Sequence, residues 1–114
     1  MSRRFCQALD LVDDPALINE YQQYHRRIWP EIASHLRQHG IENMEIFRLG
    51  NRLMMVMETT DDFDGALFEQ RSLENPKVGE WEALMWQYQR PTPWTPDGEK
   101  WVEMKRIFSL AEQP

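Results

Sequence analysis

Apolar and polar side chains alternate along four segments of the chain, and each is predicted to be a β-strand. The first runs from Arg3 to Val12, with one face apolar and the other partly so. Ile41 to Leu49 and Arg52 to Thr59 are joined by Gly50-Asn51, a dipeptide suited to a tight antiparallel turn. The last predicted strand, Trp101 to Leu110, presents on one face Val102, Met104, Arg106, Phe108 and Leu110.

Apolar residues at helical spacing predict helices between these strands. The first helix begins at Asp13-Asp14-Pro15, an aspartate cap followed by a proline in the first turn. Trp29 precedes Pro30 and is biased away from helical geometry, so the helix bends or ends there. A further helical region follows Asp61-Asp62 and is interrupted at Asn75-Pro76. The order strand, helix, strand, strand, helix, strand is the ferredoxin-like α+β arrangement.

Such a sheet carries both helices on one face and leaves its other face bare. An apolar bare face requires a cover. Met54, Met55, Val56 and Met57 are consecutive in the third strand, so both faces of that strand are apolar. A second copy of the chain or a ligand could cover such a face, and we expect a homodimer. Filling of the core is the alternative use of these methionines.

Length, composition and charge narrow the class of protein. With 114 residues, of which 41% are hydrophobic, we expect one domain spanning residues 1–114. A net charge of -6 argues against a nucleic-acid partner, because phosphate binding needs a basic surface. No apolar run approaches the roughly 20 residues that cross a bilayer, and the N-terminus lacks an export signal. With a single cysteine, Cys6, these features predict a cytoplasmic protein without membrane partners.

Tyr21 and His25 are the candidates for chemistry. They are four residues apart on a predicted helix, so they lie one above the other on one face. A histidine near the C-terminal end of a helix is favoured in its protonated form by the helix dipole. An imidazole that titrates near neutrality can both donate and accept a proton. The alternative interpretation is a hydrogen-bonded histidine at the edge of the core.

Tryptophan is abundant in this chain. A tryptophan ring can stack on the apolar face of a sugar, and five are present: Trp29, Trp81, Trp86, Trp94 and Trp101. Trp81 and Trp86 also fall at helical spacing with apolar neighbours, which is typical of a core. We expect two or three of the five to be structural.

A metal site is a competing possibility, because His35 and His39 are four residues apart on one helix face. No cysteine, aspartate or third histidine completes a recognisable ligand set around them. We interpret the pair as part of a solvated helix face and predict no metal site.

Several sequence features occur together in a known family. They are Tyr21, HRRIWPEI at 25–32, His39-Gly40, Asn43, the methionine-rich third strand ending in Glu58, Trp81 within GEWEALM, and the terminal EMKRIFSL. Over almost the whole chain they resemble the L-rhamnose mutarotase family. The resemblance implies a dimeric ferredoxin-like α+β barrel and a sugar 1-epimerase without cofactors, which interconverts the α and β anomers of a monosaccharide. It also implies that His25 is the proton donor, that Tyr21 binds the substrate, and that Trp81 lies on the substrate side.

Two positions depart from the pattern of the family. Met44 replaces a tyrosine and Glu82 replaces a tryptophan, at positions that the resemblance places beside the sugar. The substrate is therefore expected to be a 6-deoxy hexose, either L-rhamnose or its leading substitute L-fucose, which differs in hydroxyl stereochemistry. Two alternatives remain open: a cofactor-free or haem-type monooxygenase of the same fold, and a small-ligand-binding dimer without catalysis.

Overall fold

The computed structural model describes residues 2–114. Its elements follow in the order β1 (Ser2–Leu11), α1 (Pro15–Arg26), α2 (Pro30–Gln38), β2 (Ile41–Leu49), β3 (Arg52–Thr60), α3 (Gly65–Glu74), α4 (Pro76–Trp86), β4 (Gln89–Arg90), β5 (Val102–Glu103) and a short 3-10 turn (Leu110–Glu112). No helix within residues 2–114 has both the length and the hydropathy needed to cross a membrane.

The strands form one antiparallel sheet in the order β2-β3-β1-β4, and β5 also pairs with β1. β1 and β3 pair over nine positions, from Ser2 opposite Thr60 to Asp10 opposite Arg52. The hairpin between β2 and β3 turns at Gly50, whose φ of 60° favours glycine. The predicted ferredoxin-like α+β fold is confirmed.

Local sequence signals set the starts of α1, α2 and α4 as predicted. The Asp14 carboxylate caps α1 by accepting hydrogen bonds from two backbone N–H groups, and Asn75 caps α4 in the same way. Trp29 is extended, with φ -60° and ψ 136°, and Pro30 is the first residue of α2. The chain therefore bends between α1 and α2, directly after the turn that carries His25.

The core lies between the sheet and the helices. Leu9, Leu11 and Leu53 are fully buried at its centre, where Leu11 and Leu53 pack with residues of α1, α2 and α4. Met55 and Met57 lie in the same layer and fill the core, whereas Met54 and Val56 alternate onto the open face of the sheet. The four consecutive apolar residues therefore serve both faces.

The prediction of a last strand from Trp101 to Leu110 is largely wrong. Only Val102–Glu103 pairs with β1, and the Met104 N–H donates one more hydrogen bond to the Cys6 carbonyl. Residues 105–109 form no strand, and Ile107 and Phe108 are exposed. Their alternation satisfies the pattern of a strand, but a strand also needs a partner with which to hydrogen-bond. The short strand Gln89–Arg90, which the alternation pattern did not predict, also pairs with β1.

Candidate active site

The last two turns of α1 bring Tyr21 and His25 together as predicted. Their ring centroids are 4.3 Å apart, and the rings are tilted by 37°. His25 Nδ1 lies 2.8 Å from the backbone carbonyl oxygen of Tyr21. Because a carbonyl can only accept a hydrogen bond, the proton of the neutral ring is on Nδ1. His25 Nε2 therefore carries a lone pair that can accept a proton.

A cavity of about 420 Å³ borders His25. Its wall continues from His25 through the bend after α1 to α2 and to the edge strand β2, with Met44 and Ile46 on the strand side. Arg26 and Arg37 add two positive charges, and Asn43 adds an amide. This volume is within the range of small-molecule sites, which combine apolar walls with a few polar groups.

Burial controls the protonation of His25. It lowers the pKa of the imidazole below its ordinary value of 6.5, and the hydrogen bond to the Tyr21 carbonyl opposes this shift more weakly. The expectation from the helix dipole, that the charged form is favoured, is wrong because removal from water has the larger effect. The ring is therefore neutral at pH 7.

Tyr21 is buried and keeps its phenolic proton. Burial raises the pKa of Tyr21 to about 12, nearby Glu82 also raises it, and a hydrogen bond from Gln89 lowers it. In that bond, Gln89 Nε2 donates to the phenolic oxygen over 3.1 Å. Gln89 was not predicted as a site residue, because nothing in its local sequence pattern distinguishes it from a surface glutamine.

Trp81 packs behind the imidazole. Its side chain is buried, and its ring meets those of His25, Trp29 and Tyr24 edge-on at centroid distances of 5.7, 5.1 and 6.3 Å. The structure thus brings together the three residues predicted for the site. Trp94 lies outside the site and is exposed to solvent.

The two departures from the family pattern lie in different environments. Met44 lines the cavity beside His25. Glu82 is half exposed and forms an ion pair with Lys100, whose ammonium also lies 4.6 Å from the ring centroid of Trp86. Of the two substitutions, Met44 is the one that changes the surface of the cavity.

The interpretation of His35 and His39 as a solvated face is wrong for His35. His35 is buried between α2 and α3, where its Nε2 is 2.9 Å from Ser72 Oγ. Ser72 Oγ donates its own proton to the Phe68 carbonyl, so His35 is the donor to Ser72. Within residues 2–114, no group of three or more histidine, cysteine or acidic side chains is arranged to hold a metal ion.

Comparison with known proteins identifies the family. The sequence model of the L-rhamnose mutarotase family matches residues 4–110. The chain belongs to the L-rhamnose mutarotase family. This member of the family is 46% identical over 112 residues to a protein of Xanthomonas campestris pv. campestris named L-fucose mutarotase, covering 96% of the chain and 90% of that relative.

Two solved structures share the fold of this L-rhamnose mutarotase family member. The L-rhamnose mutarotase of Formosa agariphila superposes with a TM-score of 0.70 at 19% identity, covering 95% of this chain and 98% of the other. Tetracenomycin F2 cyclase of Streptomyces glaucescens, a type-II polyketide cyclase, superposes with a TM-score of 0.63 at 21% identity, covering 94% and 97%. Since one architecture hosts different named activities, function must be argued from the site.

Proposed function

We propose that this protein is a sugar mutarotase that interconverts the α and β anomers of a 6-deoxy hexose, with L-fucose preferred over L-rhamnose. Family membership supports the reaction over a monooxygenase of the same fold, and 46% identity to a protein named L-fucose mutarotase supports the sugar. The observation that carries the mechanism is the neutral His25 imidazole, anchored through Nδ1, at the wall of a sugar-sized cavity.

In the proposed mechanism, His25 transfers one proton between two oxygens of the same carbon. Nε2 removes the proton of the anomeric hydroxyl while the bond from C1 to the ring oxygen breaks, and the resulting imidazolium protonates the ring oxygen. The open-chain aldehyde rotates about C1–C2 and closes on its other face by the reverse steps. Acid/base catalysis and positioning are sufficient for this reaction, so the proposal includes no metal or cofactor.

Tyr21 and Trp81 are proposed to support this transfer. Tyr21 stays a neutral phenol at physiological pH, which suits it to donate a hydrogen bond to a sugar hydroxyl rather than to act as a base. Trp81 packs against the edge of His25 and holds the imidazole in position. Met44 replaces a polar aromatic side chain in the cavity wall, which removes one hydrogen-bonding group and favours a sugar other than L-rhamnose.

The proposed function is tested by exchange NMR on sugars at anomeric equilibrium. The protein is expected to accelerate the transfer of saturation between the α and β H1 signals of L-fucose, and to do so less for L-rhamnose. Buffer without protein gives the uncatalysed rate. If the exchange rates of both sugars equal the uncatalysed rates in buffer, the protein does not have the proposed activity on L-fucose or L-rhamnose.

The pH dependence follows from the lowered pKa of His25. The neutral ring is the base, so the rate of anomer exchange decreases as the pH falls through the pKa of His25, which lies below 6.5. The rate is level between about pH 7 and 8, where the ring is already neutral. The measurement is kcat/KM for L-fucose as a function of pH, with the uncatalysed rate subtracted at each point. A rate that rises toward acid would show that the imidazolium is the species required first.

A homodimer is also proposed, formed through the open face of the sheet. On this face Phe47 and Met54 are neighbours across β2 and β3 and are exposed by 51% and 37%. In the C-terminal segment, Ile107 and Phe108 are exposed by 90% and 65%. An exposed apolar surface of this kind is typical of an interface. We expect sedimentation equilibrium to give about twice the chain mass of 13.7 kDa, and a monomeric mass at micromolar concentration would contradict this.

We also propose that residues 1–114 act as one domain in the cytoplasm. The two clusters of buried side chains share Leu36, Ile46 and Trp101, so they are parts of a continuous core. Cys6 is a free cysteine, which suits a reducing compartment.

A further inference from the structure

We propose that Gln89 and Tyr21 together form a hydroxyl-binding pair that recognises one hydroxyl of the sugar and selects among its stereoisomers. This inference rests on the proposed function, which supplies the class of ligand. It adds Gln89 to the site as a residue that determines substrate specificity.

Gln89 combines deep burial with incomplete hydrogen bonding. Its side chain is 3% exposed, and its Nε2 donates to the Tyr21 phenol. Its Oε1 is buried and accepts no hydrogen bond from any residue in 2–114. Buried carbonyl oxygens nearly always have a partner, because leaving one unpaired is destabilising. The unused acceptor therefore indicates a place for a donor from outside the chain.

Tyr21 supplies the complementary donor. Its phenolic oxygen accepts from Gln89, so its own proton is not used in that hydrogen bond. Gln89 Oε1 and the Tyr21 O–H thus place one acceptor and one donor next to each other. A sugar hydroxyl both donates and accepts, and so satisfies both groups at once. An apolar substituent or a hydrogen at the same carbon satisfies neither.

The backbone holds Gln89 in place. It lies in β4 opposite Leu11 of β1, and the Val12 N–H donates to the Tyr88 carbonyl over 2.8 Å. The Gln89 carbonyl itself accepts a hydrogen bond from Arg90 Nη1 at 2.7 Å. A polar group on a rigid strand discriminates better than one on a mobile loop, because it cannot move to accommodate a different stereoisomer.

The pair is also adjacent to the reacting groups. The Tyr21 ring lies against His25 at a centroid distance of 4.3 Å, tilted by 37°. A hydroxyl held by the pair therefore orients the same sugar ring whose anomeric carbon faces Nε2. A site built to hydrogen-bond a hydroxyl rejects analogues without it far more strongly than an apolar wall does. L-Fucose and L-rhamnose differ in hydroxyl stereochemistry, which is the property that such a pair senses.

The test compares Gln89→Met with the protein itself on L-fucose and on its 2-, 3- and 4-deoxy analogues. Methionine has nearly the same length and cannot bond a hydroxyl. We expect kcat/KM for L-fucose to fall about ten- to a hundredfold. One deoxy analogue lacks the recognised hydroxyl. For that analogue, the variant and the original protein should have the same kcat/KM. Tyr21→Phe removes the phenol that donates to the sugar hydroxyl and accepts from Gln89, and it should lower kcat/KM for L-fucose but not for that same analogue.

The matched control is Gln87→Met, the same substitution at an exposed glutamine two residues earlier. It should leave all four rates unchanged. If Gln89→Met lowers the rate for every sugar by the same factor, or lowers none, the pair does not recognise a hydroxyl. A reduction common to all sugars would mean a packing role, and no reduction would mean that a buried water satisfies Oε1.

Failure of the proposed function gives a different result. In that case the original protein does not accelerate anomer exchange of any of the four sugars. Binding of the same four sugars is then compared by saturation-transfer NMR. Loss of binding in Gln89→Met for all sugars except one deoxy analogue would still support the pair. Absence of binding to every sugar by the original protein would overturn it.

Discussion

Replacing His25 with alanine is expected to slow anomer exchange of L-fucose by about a hundred- to ten-thousandfold while the sugar still binds. The cavity wall around position 25 is formed mostly by other residues, so removal of the imidazole leaves a binding site without its acid/base group. Exchange NMR measures the rate, and saturation-transfer NMR measures binding in the same samples.

His39→Ala is a matched control for this variant. His39 Nδ1 also lies 2.8 Å from the carbonyl oxygen four residues earlier, that of His35, but His39 does not line the cavity. The control therefore removes a histidine with the same local hydrogen bond from another helix end, and it should exchange L-fucose at the original rate. If His25→Ala also keeps the original rate, another group transfers the proton. If it loses binding together with exchange, His25 is needed to form the site.

The features that sequence predicted correctly depend on neighbours in the chain. The Asp14 cap and the extended Trp29 before Pro30 follow from backbone chemistry within a few residues, and the structure has both. The approach of Tyr21 to His25 follows from their spacing of four on one helix. Because α1 ends at Arg26, these local rules also place the imidazole beside the bend that forms one wall of the cavity.

The features that sequence analysis missed depend on contacts between distant segments. His35 looks like a surface residue in its own helix and is buried only because α3 packs over it. Gln89 reaches Tyr21 because β4 pairs with β1, and the residues that form this hydrogen bond are 68 positions apart. The direction of the His25 pKa shift likewise depends on burial by residues outside its own helix, whereas the helix dipole depends on the helix alone.

Shared architecture does not explain the site. The polyketide cyclase and the L-rhamnose mutarotase superpose on this chain at similar TM-scores of 0.63 and 0.70. The fold supplies a sheet with helices on one face and an open second face. The proposed activity depends on particular side chains: His25 lines the cavity, Tyr21 packs against His25, and Gln89 hydrogen-bonds to Tyr21.

Trp81→Ala is expected to have the largest effect on stability, lowering the free energy of unfolding by about 3–5 kcal/mol. Trp81 is 6% exposed and packs edge-on against three aromatic rings, so alanine leaves a cavity that these rings cannot fill. The total stability of a domain of this kind is about 5–15 kcal/mol, so the variant should unfold at a much lower urea concentration. Circular dichroism during urea titration gives the midpoint.

The role of Trp81 follows from comparing this loss with that of a tryptophan outside the core. Trp94 is 72% exposed, and Arg52 lies over its ring at 5.1 Å, so Trp94→Ala should cost no more than about 1 kcal/mol. Trp81→Phe keeps a ring behind His25 and should recover most of the stability, with kcat lowered more than KM is raised because the imidazole is held less firmly. If Trp81→Ala is as stable as Trp94→Ala but no longer binds L-fucose, then Trp81 contacts the sugar directly and the packing role assigned to it is wrong.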